Sequence, residues 1–203
     1  MLEAQNLECE RGGRRLFSGL SFSLGPGDAL RISGANGSGK SSLLRILCGL
    51  LPPSAGEVRW QASPIKALQE DYSRQLVYLG HAAALKDDLS AAENLRIACR
   101  IAGAAVPQTS VGRALARFGL DGGPAAVKRL SQGQRRRAAL ARLALSQAVP
   151  LWLLDEPLSA LDPQGAELLK AMLLEHLARG GVLAYSTHQD AGIPAARVVE
   201  LDA

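Results

Sequence analysis

No stretch of this sequence stays apolar for the roughly 18 residues that a bilayer-spanning helix needs. A membrane role would therefore have to come through other subunits. Cysteine is scarce: Cys9, Cys48 and Cys99 are widely spaced and odd in number, which fits neither a disulfide framework nor a zinc site. A reducing compartment is the simple expectation. Met1-Leu2-Glu3-Ala4 lacks the basic-then-apolar pattern of a secretion signal, so the chain is expected to remain in the cytosol. A strong charge imbalance is missing too. The formal net charge is +4, and Lys and Arg are scattered apart from the run Arg135-Arg136-Arg137. Nucleic-acid binders usually gather their cations on one patch, so no nucleic-acid partner is expected. Internal repeats and low-complexity tracts are absent.

What is present is ordinary globular material: 203 residues, 47% hydrophobic and 21% charged, enough for one core with a modest inserted lobe. Leu16 to Leu24 reads as a strand and closes at the turn Gly25-Pro26-Gly27-Asp28. Ala29 to Ser33 is a short strand and Gly34 to Gly39 a glycine-rich loop. A helix over Ser41 to Cys48 follows, with Leu43, Leu44, Leu47 and Cys48 on one stripe. Gly49 and Pro52-Pro53 end it. Glu57 to Trp60 and Leu76 to Leu79 read as two more strands. From about Ala82 to Gln147 Ala and Leu dominate with helical spacing, broken at Gly122-Gly123-Pro124. Leu151 to Leu154 is continuously apolar, the pattern of a strand covered on both faces. Glu167 to Arg179 has a helical apolar face, and Val182 to Thr187 is the next strand. Strand, helix, strand in that order implies an α/β fold with parallel crossovers. Residues 1–81 and 149–203 form its core, and about 82–148 form an inserted helical subdomain.

Gly34-Ala35-Asn36-Gly37-Ser38-Gly39-Lys40-Ser41 has two glycines followed by Lys and Ser between a strand and an apolar helix. That is the phosphate-loop pattern. Glycines let successive N–H groups turn toward an anion, and the helix start adds its positive dipole end. Lys40 would reach the β- and γ-phosphates, and the Ser41 hydroxyl would hold Mg²⁺. The expected nucleotide-binding set is thus Gly34, Ala35, Asn36, Gly37, Ser38, Gly39, Lys40, Ser41 and Ser42.

Asp155-Glu156 ends the apolar strand at Leu154, and the ends of parallel strands are where open α/β sheets bind ligands. Asp155 is placed to hold the Mg²⁺ shell, and Glu156 to act as general base toward an attacking water. Leu130-Ser131-Gln132-Gly133-Gln134 opens a further helix, Arg135 to Ser146. Ser131 is a natural N-cap, and Gly133 lets an anion approach the backbone. The Arg135–Arg137 run lies at a helix start, where the dipole disfavours cations. An opposing phosphate or a solvated face would each account for it.

Taken together, these motifs make the sequence resemble the ATP-binding-cassette ATPases over nearly its whole length. Ser131 to Gln134 is similar to the signature motif of that family and lies ahead of the Asp155-Glu156 strand, as it does there. The resemblance implies a P-loop, RecA-like α/β core with a small N-terminal antiparallel β portion and an inserted α-helical subdomain. It implies ATP and Mg²⁺ as ligands, and it makes Ser159-Ala160-Leu161-Asp162 the loop that crosses a dimer interface. His188 resembles the switch histidine that contacts the γ-phosphate. Two copies would pair head to tail, each ATP lying between the phosphate loop of one and Ser131 and Gly133 of the other.

Two departures stand out. The family's adenine-stacking aromatic is missing from Cys9-Glu10-Arg11-Gly12-Gly13-Arg14, where Arg11 could stack instead. The family's glutamine after the strand Leu76 to Leu79, which contacts Mg²⁺, is replaced in Gly80-His81. His81 could take a metal-linked role or merely fill the loop. Cys9-Glu10-Arg11, Leu16-Phe17-Ser18-Gly19-Leu20, Gly80-His81 and Leu89-Ser90-Ala91-Ala92-Glu93-Asn94-Leu95 resemble the haem-exporter ATPases of cytochrome c maturation. That resemblance implies integral membrane partners and a peripheral place on the cytoplasmic side of a bacterial inner membrane. No Cys-x-x-Cys-His occurs in the chain. An ABC ATPase for another cargo and a soluble ABC ATPase outside transport are the alternatives; an ATP-binding scaffold without turnover would predict a broken base or signature.

Overall fold

A computed structural model describes residues 1–121, 123–188, 192–194 and 197–201. Gly122 of the expected helical break lies outside the described residues. The chain divides into two compact units, one of Met1–His81, Val149–Pro157 and Leu173–Ala203, the other of Ala82–Ala148 and Leu158–Met172.

The first unit holds two sheets. In the antiparallel one, β1 (Leu2–Arg11) and β2 (Arg14–Leu24) form a hairpin, β4 (Ala55–Trp60) lies on the other side of β1, and β5 (Ser63–Pro64) borders β4. The hairpin turn, Gly12-Gly13, has positive φ at both residues (58° and 73°), which matches the twist of the flanking strands. The sequence reading found β2 and β4 but not β1. Leu2 and Ala4 are buried, then Leu7 and Cys9, so the alternation slips by one where the register shifts around Asn6.

The second sheet is wholly parallel, in the order β6 (Leu76–Leu79), β7 (Leu151–Leu154), β8 (Val182–Ser186), β3 (Ala29–Gly34), β9 (Arg197–Leu201). All four side chains of β7 are at 0% exposure, as its unbroken apolar run implies. Each contributes about 1.5–3 kcal/mol by leaving water. The edge strand β9 buries Leu201 while leaving Arg197 and Val198 exposed, which is why no strand pattern was legible there.

Helix α1 (Lys40–Leu47) buries Leu43, Leu44, Ile46 and Leu47. It ends at Gly49 (φ 77°), whose N–H donates to the Ile46 carbonyl. Helix α2 (Ile65–Arg74), not foreseen, bends at Gln69 (φ 42°) and anchors through the Tyr72 hydroxyl, which donates to the Leu47 carbonyl. In the second unit α3 (Ala91–Ile101), α4 (Gln108–Arg117) and α5 (Gln132–Leu145) pack pairwise around Leu95, Val111, Leu115, Leu140 and Leu143. Helix α6 (Pro163–Ala178) follows β7. Among the described residues no helix is long and apolar enough to cross a membrane.

His176 of α6 lies flat on Trp152 of β7, with ring centroids 4.0 Å apart and planes 8° from parallel. Its Nε2 is 3.2 Å from the Val182 carbonyl oxygen. A Cβ on Gly181 would fall 2.2 Å from the imidazole, so glycine at 181 is what admits the ring. Burial pushes His176 down from 6.5 to about 4. The unfolded chain therefore binds a proton below pH 6.5 that the folded chain refuses. Stability from this group should be full above pH 6.5 and should fall as pH drops toward 4. Urea midpoints at pH 7 and pH 5 test it: the wild type should lose more than a His176→Phe variant, and equal losses would remove His176 as the cause.

Candidate nucleotide-binding and hydrolysis site

Parallel strands end on a common edge, and that edge is where the core unit carries its reactive loops. The glycine-rich loop leaves β3, Gly80-His81 leaves β6, Asp155-Glu156 leaves β7 and Thr187-His188 leaves β8.

In the glycine-rich loop, Gly34 has φ 140°. A Cβ there would meet the Leu201 carbonyl oxygen at 2.3 Å and Ser38 Oγ at 2.7 Å. Gly39, at φ 108°, passes so close to Leu16 that a Cβ would lie 3.1 Å from Leu16 Cβ. Lys40 is 6% exposed, and its ammonium donates to the carbonyls of Gly34 (2.8 Å) and Ala35 (2.9 Å). An ammonium has three hydrogens, so one remains to point elsewhere. Ser38 is buried with no hydrogen-bond partner for its hydroxyl among the described residues, a costly arrangement that an added acceptor would relieve. Helix α1 begins at Gly39 with no side-chain cap, leaving its first-turn N–H groups to an outside acceptor. These features fit a phosphate group. Ser42 stands at the same helix start, and burial raises the pKa of the nearby Cys9 thiol. Arg11 is exposed at the end of β1.

The carboxylate pair is held by Ser186, to which sequence reasoning gave no role. Its hydroxyl donates to Asp155 Oδ1 (2.7 Å) and accepts from the Glu156 N–H (2.8 Å). The available signal was its place last in an apolar strand, just before Thr187-His188. Asp155 is 2% exposed, and its own N–H donates to the Leu79 carbonyl at 2.8 Å, which ties the ends of β7 and β6 together. Glu156 has φ 48°, a conformation that costs a non-glycine residue about 1–3 kcal/mol. His188 Nε2 lies 2.8 Å from Glu156 Oε1, and His81 Nδ1 lies 3.5 Å from Glu156 Oε2. The structure thus brings Asp155, Glu156, His188 and His81 together.

Ser131, Gly133 and Asp162 belong to the second unit. Ser131 is the N-cap of α5 in a reciprocal capping box: its Oγ accepts from the Gln134 N–H (3.2 Å), and Gln134 Oε1 accepts from the Ser131 N–H (2.9 Å). The Ser131 hydroxyl hydrogen is left to donate outward, and the residue is exposed. A Cβ on Gly133 would sit 3.2 Å from the Ala160 carbonyl oxygen. Asp162 precedes Pro163 at the start of α6 and accepts from the Gly165 N–H at 3.0 Å, so it caps that helix. The arginine run is not a uniformly solvated face. Arg135 pairs with Asp87 at 2.8 Å and donates to the Leu130 carbonyl, and Arg136 is 5% exposed.

A family model described as "ABC transporter" matches residues 17–159. The chain belongs to the ABC transporter family. A relative from Nitrosomonas europaea, named cytochrome c biogenesis ATP-binding export protein CcmA, is 52% identical over 193 residues, 94% of this chain and 89% of the relative. A protein of the same name from Dechloromonas aromatica is 50% identical over 202 residues, covering 99% and 98%. Among solved structures, a dimeric bacterial ABC transporter cassette superposes with a TM-score of 0.86 at 23% identity, covering all of this chain and 94% of the other, which speaks to the fold. The ATP-binding subunit of an ABC transporter gives 0.84 at 25% identity over 94% of this chain and 80% of its own. The RecA-like core and the helical portion expected for this ABC ATPase are therefore present.

Ser186→Ala removes the hydroxyl that bridges the carboxylate pair. Loss of these buried bonds should cost about 1–3 kcal/mol. Denaturant unfolding of the variant measures it, and a cost near zero would mean that the bridge is incidental.

Proposed function

We propose that this chain is the ATP-hydrolysing subunit of an ABC exporter serving haem delivery in cytochrome c biogenesis. The observation that carries the chemistry is the Glu156–His188 contact of 2.8 Å at the end of β7, on the sheet edge that also bears the phosphate loop. The pathway rests on two relatives of about half identity that are named for cytochrome c biogenesis and span nearly the whole chain.

In this reading the N–H groups of Gly37 to Ser42 and the Lys40 ammonium hold the β- and γ-phosphates. Ser41 and Asp155 would hold Mg²⁺, a hard cation suited to a hydroxyl, a carboxylate and phosphate oxygens. The ion supplies charge neutralisation at the phosphates when bound. Glu156 accepts a proton from water as the water oxygen bonds to the γ-phosphorus, and the bond to the ADP oxygen breaks. His188 holds Glu156 Oε1 and keeps the carboxylate turned to its task.

A second copy of the chain completes each site with Ser131 and Gly133, and Asp162 lies on the loop between the copies. Membrane subunits receive the closing motion, with the ATPase peripheral on the cytoplasmic side of the inner membrane. A near-complete open-to-closed switch needs about 5.5 kcal/mol of differential binding, and ATP touching both copies is a source of it.

Glu156→Gln should keep ATP binding but lose roughly a hundred- to ten-thousand-fold in turnover. Phosphate release and nucleotide titration measure the two halves, and wild-type turnover would remove Glu156 from the mechanism. Ser131→Arg should abolish hydrolysis while a monomer still binds nucleotide. Normal hydrolysis by that variant would end the shared-site reading. Co-purification from membranes, with the bound partners identified, tests the pathway.

A further inference from the structure

The replacement at position 81 gives Glu156 a neighbour on its second oxygen. His188 Nε2 lies 2.8 Å from Oε1, and His81 Nδ1 approaches Oε2 at 3.5 Å, so an imidazole flanks each oxygen of the same carboxylate. The backbone that carries His81 is registered to the base. The Leu79 carbonyl accepts the Asp155 N–H at 2.8 Å, and Leu79 pairs with Leu154 in the ladder. His81 and Glu156 thus project from adjacent, hydrogen-bonded strand ends.

We propose that His81 is a positioning residue for Glu156: its Nδ1–H holds Oε2 while His188 holds Oε1, and the pair fixes the rotation of the carboxylate plane. The proposal rests on Glu156 being the base, as read above. Each carboxylate oxygen has two lone pairs, so a carboxylate held at both oxygens can still accept from water. Glu156 has particular need of such support, because its backbone is at φ 48° and its side chain is 21% exposed. A metal-bound role suits His81 less well, since Mg²⁺ prefers oxygen donors.

The test uses the 203-residue chain, which contains three histidines and so three sets of ring signals in a heteronuclear NMR spectrum. Deleting each histidine in turn assigns them. Glu156→Gln should move the His81 and His188 signals and leave those of His176, stacked on Trp152, in place. If His81 does not move, the contact is refuted whether or not the protein hydrolyses ATP. In turnover, His81→Ala should lower kcat roughly ten-fold with KM for ATP almost unchanged, the size expected for loosening a base without removing it. His81→Asn sets an amide N–H where Nδ1 was and should restore most of the rate. Equal rates for Ala and wild type, or for Ala and Asn, would overturn the positioning role. A wild-type protein that does not hydrolyse ATP would refute the proposed function instead, and with it the role, while the NMR comparison still decides the contact.

Discussion

Strands β6, β7, β8 and β3 run the same way, and that common direction decides where chemistry is available in this chain. In a parallel sheet every carboxyl end opens on the same edge. Four loops of unrelated sequence are thereby delivered to one place without any of them being adjacent in the chain. Short hydrogen bonds then set the fine positions. Asp155 N–H to Leu79 O joins two strand ends, and the Ser186 hydroxyl joins the end of β8 to both carboxylate residues at the end of β7. The site is backed by this sheet, in which β7, paired with β6 on one side and β8 on the other, is buried along its whole length.

Strain is stored at the same edge. Glu156 and Gly34 both take positive φ, but for different reasons. Gly34 must have no side chain, because the Leu201 carbonyl and Ser38 hydroxyl occupy the space where one would be. Glu156 must have one, and so bears the conformational cost in full. The bond from its N–H to Ser186 and the contact at its carboxylate offset that cost. A strained residue that persists only because its surroundings over-determine it is characteristic of a functional position. Here the surroundings are a strand end, a hydroxyl and imidazole rings.

The sequence disclosed the parts whose physics is local. The phosphate loop is legible because glycine, lysine and serine at that spacing serve few other purposes, and β7 because a strand covered on both faces has no polar position. The Ser131 cap and the placing of the Glu156 carboxylate at a strand end were also readable, since a capping box and a strand-end carboxylate are short-range patterns. What was hidden depends on long-range or irregular structure. Strand β1 loses its alternation at Asn6, α2 loses its periodicity at Gln69, and β9 is an edge strand with one buried residue. Ser186 has meaning only once β8 is placed beside β7. Burial of Arg136 in a run of three arginines could not be read from charge, because the pattern of cations is the same whether the helix faces water or its neighbours.

The two helix starts proposed to grip the triphosphate are not equivalent, and the difference imposes an order. Helix α1 begins at a glycine with no side-chain cap, so its first-turn N–H groups are open to an anion from the outset. Helix α5 begins with a complete capping box, in which the Ser131 oxygen already accepts from Gln134 and the Gln134 side chain already accepts from Ser131. What α5 can add is one hydroxyl hydrogen and the dipole of its first turn, a weaker hold than a loop of N–H groups with a lysine. In the proposed dimer the phosphate loop therefore captures nucleotide alone, and the Ser131 helix of the second copy closes on it afterwards. Because α5 is stable without the phosphate, its grip can be released without unravelling the helix, which a reversible closing cycle requires.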